Sequence, residues 1–179
     1  MTTAFIGARI FDGTTLHDDA VLLTDGAVVI GLAASVPPTA TVVDLAGGLL
    51  APGLIDLQVN GGGGLMVDGN ATAATLRAIC ATHARLGTTG LLPTLITDTA
   101  QATARVIQAG FDCIGAPGFL GLHLEGPHLD PLRKGAHDPA LIRPMGDADI
   151  DMLIDAAGRL PALMVTVAPC AVRADQITA

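Results

Sequence analysis

The rhythm of apolar and polar positions changes once along the chain, near Pro52. Before it, short apolar runs at 4–11, 20–24, 28–32 and 41–45 are separated by turn residues, among them Asp12-Gly13 and Asp25-Gly26. Asp-Gly between two apolar runs signals a hairpin, because glycine accepts the positive φ that a tight turn demands. Residues 1–50 therefore read as a β-strand module. After it, strand-length apolar runs at 54–60, 88–95, 119–125 and 162–168 alternate with helical stretches at 71–86, 98–110 and 147–157. Such alternation predicts parallel strands joined by helical crossovers.

The predicted fold class is α/β. An amino-terminal β-strand module, part of a small β-sandwich (1–50), precedes the first half, about four βα units, of a TIM-type (β/α)8 barrel (51–179). The chain stops just after the fourth strand, with no Gly, Pro or charge run to mark a domain end, so it reads as truncated. A half-barrel would leave two unpaired edges and an uncovered apolar face, which predicts a sticky product unless it pairs with something. A compact open four-stranded α/β domain is the alternative architecture.

Composition narrows the function. The 179 residues carry a formal charge of −8, with a pI near 4.7. No Lys/Arg run exceeds two residues. An acidic surface offers nothing to neutralise phosphates or anionic lipids, so neither nucleic acid nor membrane is an expected partner. No secretory signal or membrane helix is visible. Half the residues are hydrophobic, yet Trp and Tyr are absent and Phe occurs four times, so Ala, Leu, Val and Ile must fill the core. Only 15% are charged, fewer than a complete domain of this size usually carries. Cys80, Cys113 and Cys170 have no paired spacing and suit a reducing compartment, so the expected localisation is cytoplasmic.

The candidate chemistry centres on His123-Leu-Glu-Gly-Pro-His-Leu-Asp-Pro-Leu-Arg-Lys-Gly135 and the following Ala136-His137. The preceding run, Gly118-Phe-Leu-Gly-Leu-His-Leu-Glu125, is strand-like, so period two gives His123 and Glu125 one face and Leu122 and Leu124 the other. Such a strand, broken at Gly126-Pro127 into a polar loop, resembles the carboxyl end of a barrel strand, where barrel enzymes keep their chemistry. A buried Glu–His pair is the plain alternative, at several kcal/mol of desolvation unless compensated. Asp56, Gln58 and Asn60 likewise share a face, which sets Gln58 and Asn60 beside Glu125 at a barrel mouth. Asn60-Gly61 reads equally as turn chemistry. Gly61 to Gly64 lacks the Lys-Ser/Thr of a phosphate-binding loop and reads as a flexible loop that lets substrate approach.

Glu125 is the strongest metal-ligand candidate, since zinc accepts carboxylate oxygen and a catalytic site needs three protein ligands and an open position. His128 and His137 lie in the loop after the strand, within reach of the site. His17, in the strand module, and His83, on a covering helix, read as structural. His137 can bond a substrate carbonyl or phosphate, and Arg133-Lys134 either attract an anion or form an ordinary solvated loop. His123-x-Glu125 with the later Pro169-Cys170 begins the signature of nucleobase deaminases. Arg173 stands where its second cysteine belongs, which sets that reading aside.

Six segments in order carry a family resemblance: Gly7-Ala-Arg-Ile-Phe11, Ala51-Pro-Gly-Leu-Ile-Asp-Leu-Gln-Val-Asn-Gly61, Leu92-Pro-Thr-Leu-Ile96, Gly121-Leu-His-Leu-Glu-Gly-Pro127, Lys134-Gly-Ala-His-Asp-Pro139 and Val165-Thr-Val-Ala-Pro169. With them the chain resembles the amino-terminal part of the N-acetylglucosamine-6-phosphate deacetylase family, within the metal-dependent amidohydrolase superfamily. The resemblance implies hydrolysis of the N-acetyl group of a small sugar phosphate, giving acetate and glucosamine 6-phosphate in amino-sugar catabolism. It implies one divalent metal ion, zinc, with Glu125 as one ligand and two histidines further on. It implies Ala136 and His137 as substrate-binding residues, with Gln58 and Asn60 lining the pocket where relatives that hold two metals carry His-x-His. A general acid/base aspartate is expected beyond residue 179, which leaves the isolated chain inactive, and a homodimer is the expected assembly. Cys170 departs from the family's glutamate after Ala-Pro, and Gly62 from a common cysteine. A non-catalytic remnant, a half-barrel interaction partner, or an amidohydrolase of cyclic amides are the alternatives.

Overall fold

The computed structural model describes residues 1–178; Ala179, last of the segment expected in the barrel, lies outside them. The described chain divides into two compact units, Met1–Pro52 and a second beginning at Gly53.

Seven strands build the first unit: β1 Thr2–Ile6, β2 Arg9–Phe11, β3 Leu16–His17, β4 Val21–Asp25, β5 Val28–Ala33, β6 Thr41–Asp44 and β7 Leu49–Leu50. They form a four-stranded mixed sheet in the order β5-β4-β1-β6 and a three-stranded sheet in the order β3-β2-β7. The single strand expected at 4–11 is split. Gly7 adopts φ +76°, and a Cβ there would collide with the Asp44 side chain, so the chain turns and β2 joins the other sheet. Both Asp-Gly segments do close antiparallel hairpins, β2 with β3 and β4 with β5. At the first, Asp12 accepts from the Thr14 and Thr15 amides at 2.8 Å and pairs with His17 Nε2 at 2.9 Å. The His17 bond, then those amides, hold the Asp12 carboxyl down at about 2.

The second unit comprises β8 Leu54–Val59, β9 Gly61–Gly62, β10 Leu65–Met66, α1 Ala73–Ala84, β11 Thr88–Ile96, α2 Ala100–Phe111, β12 Leu122–Glu125, α3 Asp147–Arg159, β13 Leu163–Thr166 and α4 Ala174–Thr178. Its main sheet is parallel, in the order β13-β12-β11-β8. Chain order and spatial order coincide, so each crossover moves one strand along without reversal. Thr72 caps α1 by accepting from the Thr75 amide, and Thr99 caps α2 by accepting from Ala102. Asp149, in the first turn of α3, accepts from the Gly146 amide at 2.9 Å, where a negative charge suits the helix dipole. Leu76 and Ile79 of α1, Val106 of α2, Leu91 of β11, and Leu122 and Leu124 of β12 are fully buried, so aliphatic side chains do fill the core.

Two sequence expectations change here. β12 begins at Leu122 instead of 119, because Gly121 adopts φ +143° hard against the Ala162 carbonyl, leaving Phe119 a single bridge to Leu91. The glycine run is not a free loop: Gly61 and Gly62 pair with Met66 and Leu65 in the β9–β10 hairpin. His83 Nε2 clips that hairpin to α1 by donating to the Gly61 carbonyl at 2.9 Å. At the sheet edge, β8 leaves Leu54, Ile55 and Leu57 exposed. Among the described residues no helix is long and apolar enough to cross a membrane.

Candidate active site

The site forms where β12 ends. Pairing sets His123 opposite Thr94 of β11, and Glu125 between Ile96 of β11 and Thr166 of β13. His123 is 1% exposed, with Nδ1 3.2 Å from Thr94 Oγ1 and Nε2 2.8 Å from Thr166 Oγ1. Burial lowers its pKa, against the opposing pull of the Glu125 charge. Glu125, one pleat further, lines an open cavity of about 910 Å³.

Gln58 reaches Glu125 from β8, its Nε2 donating to Oε2 at 3.0 Å. Asp56 turns back to accept from the Gln58 amide. Asn60 lines the cavity, and its buried Nδ2 has no hydrogen-bond partner. An unmet buried donor is costly, so it marks a place where a ligand acceptor or water belongs.

The loop after β12 brings His137 back over Glu125. Gly126 adopts φ +91°, and a Cβ there would strike Thr97 Oγ1, so glycine lets Thr97 approach. Thr97 holds the His137 ring through its hydroxyl at 2.8 Å and its amide at 3.4 Å, both at Nδ1. A neutral ring that accepts the Thr97 amide at Nδ1 carries its proton on Nε2. His137 Nε2 lies 3.7 Å from Glu125 Oε1, too far for a hydrogen bond between them and open to a third group.

Ala136, Arg133 and Lys134 line the same cavity. Lys134 is the only lysine of the chain. Among the described residues neither Arg133 nor Lys134 pairs with a carboxylate. Both sit at a 3-10 turn, Pro131–Arg133, capped by Asp130.

His128 does not reach Glu125. It is buried, its Nδ1 donating to the Arg143 carbonyl at 3.1 Å, with Nε2 4.0 Å from Asp149 Oδ2. Burial pushes its pKa down. Arg143 grips both Asp149 oxygens, holding that carboxyl below the usual carboxylate range. This cluster ties the end of the loop to α3. Residue pattern alone did not reveal it or Thr97 and Thr166, because a lone threonine on a strand carries no chemical signature until pairing shows its neighbours.

A metal is only partly provided for. Glu125 offers a carboxylate beside an unmet donor and an imidazole, but among the described residues no three His, Cys, Asp or Glu side chains converge as ligands.

No family model matches the chain. It is 35% identical to an N-acetylgalactosamine-6-phosphate deacetylase from Shewanella sp. (strain ANA-3) over 178 residues, 96% of this chain and 44% of that protein. The chain is similar to part of the N-acetylgalactosamine- and N-acetylglucosamine-6-phosphate deacetylases. Its structure superposes on N-acetylglucosamine-6-phosphate deacetylase from Pasteurella multocida with TM-score 0.84 at 30% identity, covering 91% of this chain and 44% of the other. The corresponding enzyme from Mycobacterium smegmatis gives TM-score 0.79 at 31% identity, covering 94% and 44%. The chain thus spans under half the length of these deacetylases.

Proposed function

We propose that this chain is the amino-terminal part of a deacetylase of N-acetylhexosamine 6-phosphates, which hydrolyses the acetamide to acetate and the free amino sugar. The observation that carries the reading is the convergence of Glu125, His137 and Asn60 on one cavity whose loop supplies Arg133 and Lys134. A sugar phosphate has a dianion for the cations, hydroxyls for polar walls, and an amide carbonyl that the His137 Nε2–H can polarise. Ala136 and His137 bind substrate, and Gln58 and Asn60 line the pocket.

Glu125 supplies one ligand to a divalent metal, whose Lewis acidity would activate the amide toward water. The other ligands and the general acid/base come from residues outside the 179. Gln58 fixes one Glu125 oxygen and leaves the other toward the cavity, the kind of outer support that tunes a ligand carboxylate. The four parallel strands are the first half of a (β/α)8 barrel, residues 51–179, with 1–50 a module beside it. Unreversed strand order and the uncovered Leu54, Ile55 and Leu57 at the edge support that architecture. A cytoplasmic setting suits the three free cysteines. Zinc and a homodimer rest on the family resemblance alone.

Titration of the chain with N-acetylglucosamine 6-phosphate and with unphosphorylated N-acetylglucosamine, followed by amide NMR, tests the binding half of this reading. Saturable binding of the phosphorylated sugar, weakened by His137→Ala, is the expected result; equal affinity for both sugars would contradict it.

A further inference from the structure

Ile96, the last residue of β11, pairs with Glu125, so the next residue, Thr97, stands beside Gly126 where the loop leaves β12. Thr97 is 7% exposed. Its hydroxyl oxygen lies 2.8 Å from His137 Nδ1 and 3.4 Å from the Glu125 main-chain carbonyl, and its amide adds a longer contact to Nδ1 at 3.4 Å. A hydroxyl can donate or accept, so it serves Nδ1 whichever ring nitrogen carries the proton. The contact therefore sets where the ring sits, whatever its charge. It also ties down the whole loop. Among the described residues, the other hydrogen bonds of 130–142 close within that stretch: Asp130 accepts from the Leu132 and Arg133 amides, the Lys134 carbonyl from the His137 amide, the Gly135 carbonyl from Lys134 Nζ, and Asp138 from the Ala140 and Leu141 amides. Leu132 is 94% exposed, so burial gives the outer turn no grip either.

We propose that Thr97 is a positioning residue, whose hydroxyl anchors the 130–142 loop through His137 and so holds the imidazole, and with it Arg133 and Lys134, at the cavity in the arrangement that binds substrate. The role of His137 toward a sugar phosphate rests on the functional reading above; the anchoring of its ring does not. The carboxylate and the imidazole ride on different elements, Glu125 on a strand and His137 on a loop. Thr97 Oγ1 bonds to both residues, and the ends of their side chains, Oε1 and Nε2, stand 3.7 Å apart. Without that oxygen the segment keeps its own turns and loses its place against β12. A ring already held when the ligand arrives need not be ordered by it, and that saving appears as affinity. Gly126, whose missing Cβ admits the Thr97 oxygen, belongs to the same device. Thr97 does not line the cavity, so it acts through His137.

Two measurements on the 179-residue chain test this. Carbon-13 NMR relaxation of the His137 ring, without ligand, should show a ring that moves with the backbone in the wild type and in Thr97→Ser. In Thr97→Val, which keeps the shape and removes the hydroxyl, the ring should reorient independently; an equally rigid ring overturns the proposal. Thr97→Val should also weaken N-acetylglucosamine 6-phosphate binding about three- to tenfold, the span of one hydrogen bond, and Thr97→Ser should restore it. In a His137→Ala background, Thr97→Val should change affinity by less than about twofold, because no ring is left to hold. Unchanged affinity in Thr97→Val, failure of Thr97→Ser to restore it, or an equal loss in the His137→Ala background overturns the proposal. Thr97→Ala takes the place of Thr97→Val, with the same expected results, if the valine variant does not fold. Should the ring loosen as expected while the wild-type chain binds no sugar phosphate, the functional reading falls and the anchoring of His137 by Thr97 stands.

Discussion

Gln58 Nε2 donates to Glu125 Oε2 at 3.0 Å, across 67 residues of sequence. The two side chains stand on β8 and β12, strands that flank β11 without pairing with each other. Gln58→Leu is expected to cost about 1 kcal/mol, the worth of one such bond. Gln58→Glu should cost more at pH 7, because two carboxylates would face each other. The shared proton that relieves them raises a folded-state pKa above its unfolded value. The variant should therefore regain stability as pH falls from 7 toward 5, measured by urea unfolding.

Arg143 and Asp149 bind through two parallel N–H donors, at 2.5 and 2.6 Å, with Asp149 mostly buried. Asp149→Asn removes the charge and one of the two accepting oxygens, so one arm of the fork is lost. A loss of about 2–3 kcal/mol is expected, that of a charged hydrogen-bonded pair half open to water. The wild-type carboxyl is depressed, so its contribution is present above the unfolded value of 3.8 and fades as pH falls through the lower folded value. Urea midpoints of wild type and variant should converge in that acid range.

Acid should also act through His128. Burial depresses its pKa below 6.5, while Asp149 and Arg143 face it with opposite signs. The unfolded chain therefore takes up the proton first, and stability should fall as pH drops through about 6.5. His128→Phe should flatten this part of the stability profile, although the loss of the bond to the Arg143 carbonyl lowers the curve as a whole.

The glycine hairpin gives a graded test of packing. A Cβ on Gly61 would meet the Leu65 carbonyl, which cannot yield, whereas Gly64 faces open space at φ +81°. Gly61→Ala is expected to open the β9–β10 hairpin and cost about 2–3 kcal/mol. Gly64→Ala should cost only about 1–2 kcal/mol, for the left-handed backbone alone. Thermal unfolding of the two variants distinguishes them.

Much of this arrangement was legible in residue pattern. Period two set His123 and Glu125 on one face of β12, and the alternation of strands and helices gave a parallel sheet. The Asp-Gly hairpins were readable because a tight turn needs specific backbone chemistry in adjacent residues. What pattern missed depends on distant partners. The break at Gly7 answers to Asp44, and the glycine hairpin to His83. His128 read as a site residue because it neighbours Glu125 in sequence, yet its partners are Arg143 and Asp149, which draw it away from the cavity.

The central claim is that this chain carries part of an N-acetylhexosamine-6-phosphate deacetylase site. Its most direct test is acetate release from N-acetylglucosamine 6-phosphate with added zinc. The 179-residue chain would be assayed beside the same chain fused to the portion of the Shewanella relative that lies beyond the match, with and without Glu125→Ala. The expected result is activity in the fusion alone, abolished by Glu125→Ala. A fusion that folds and binds zinc yet releases no acetate, or that remains active without Glu125, would contradict the account.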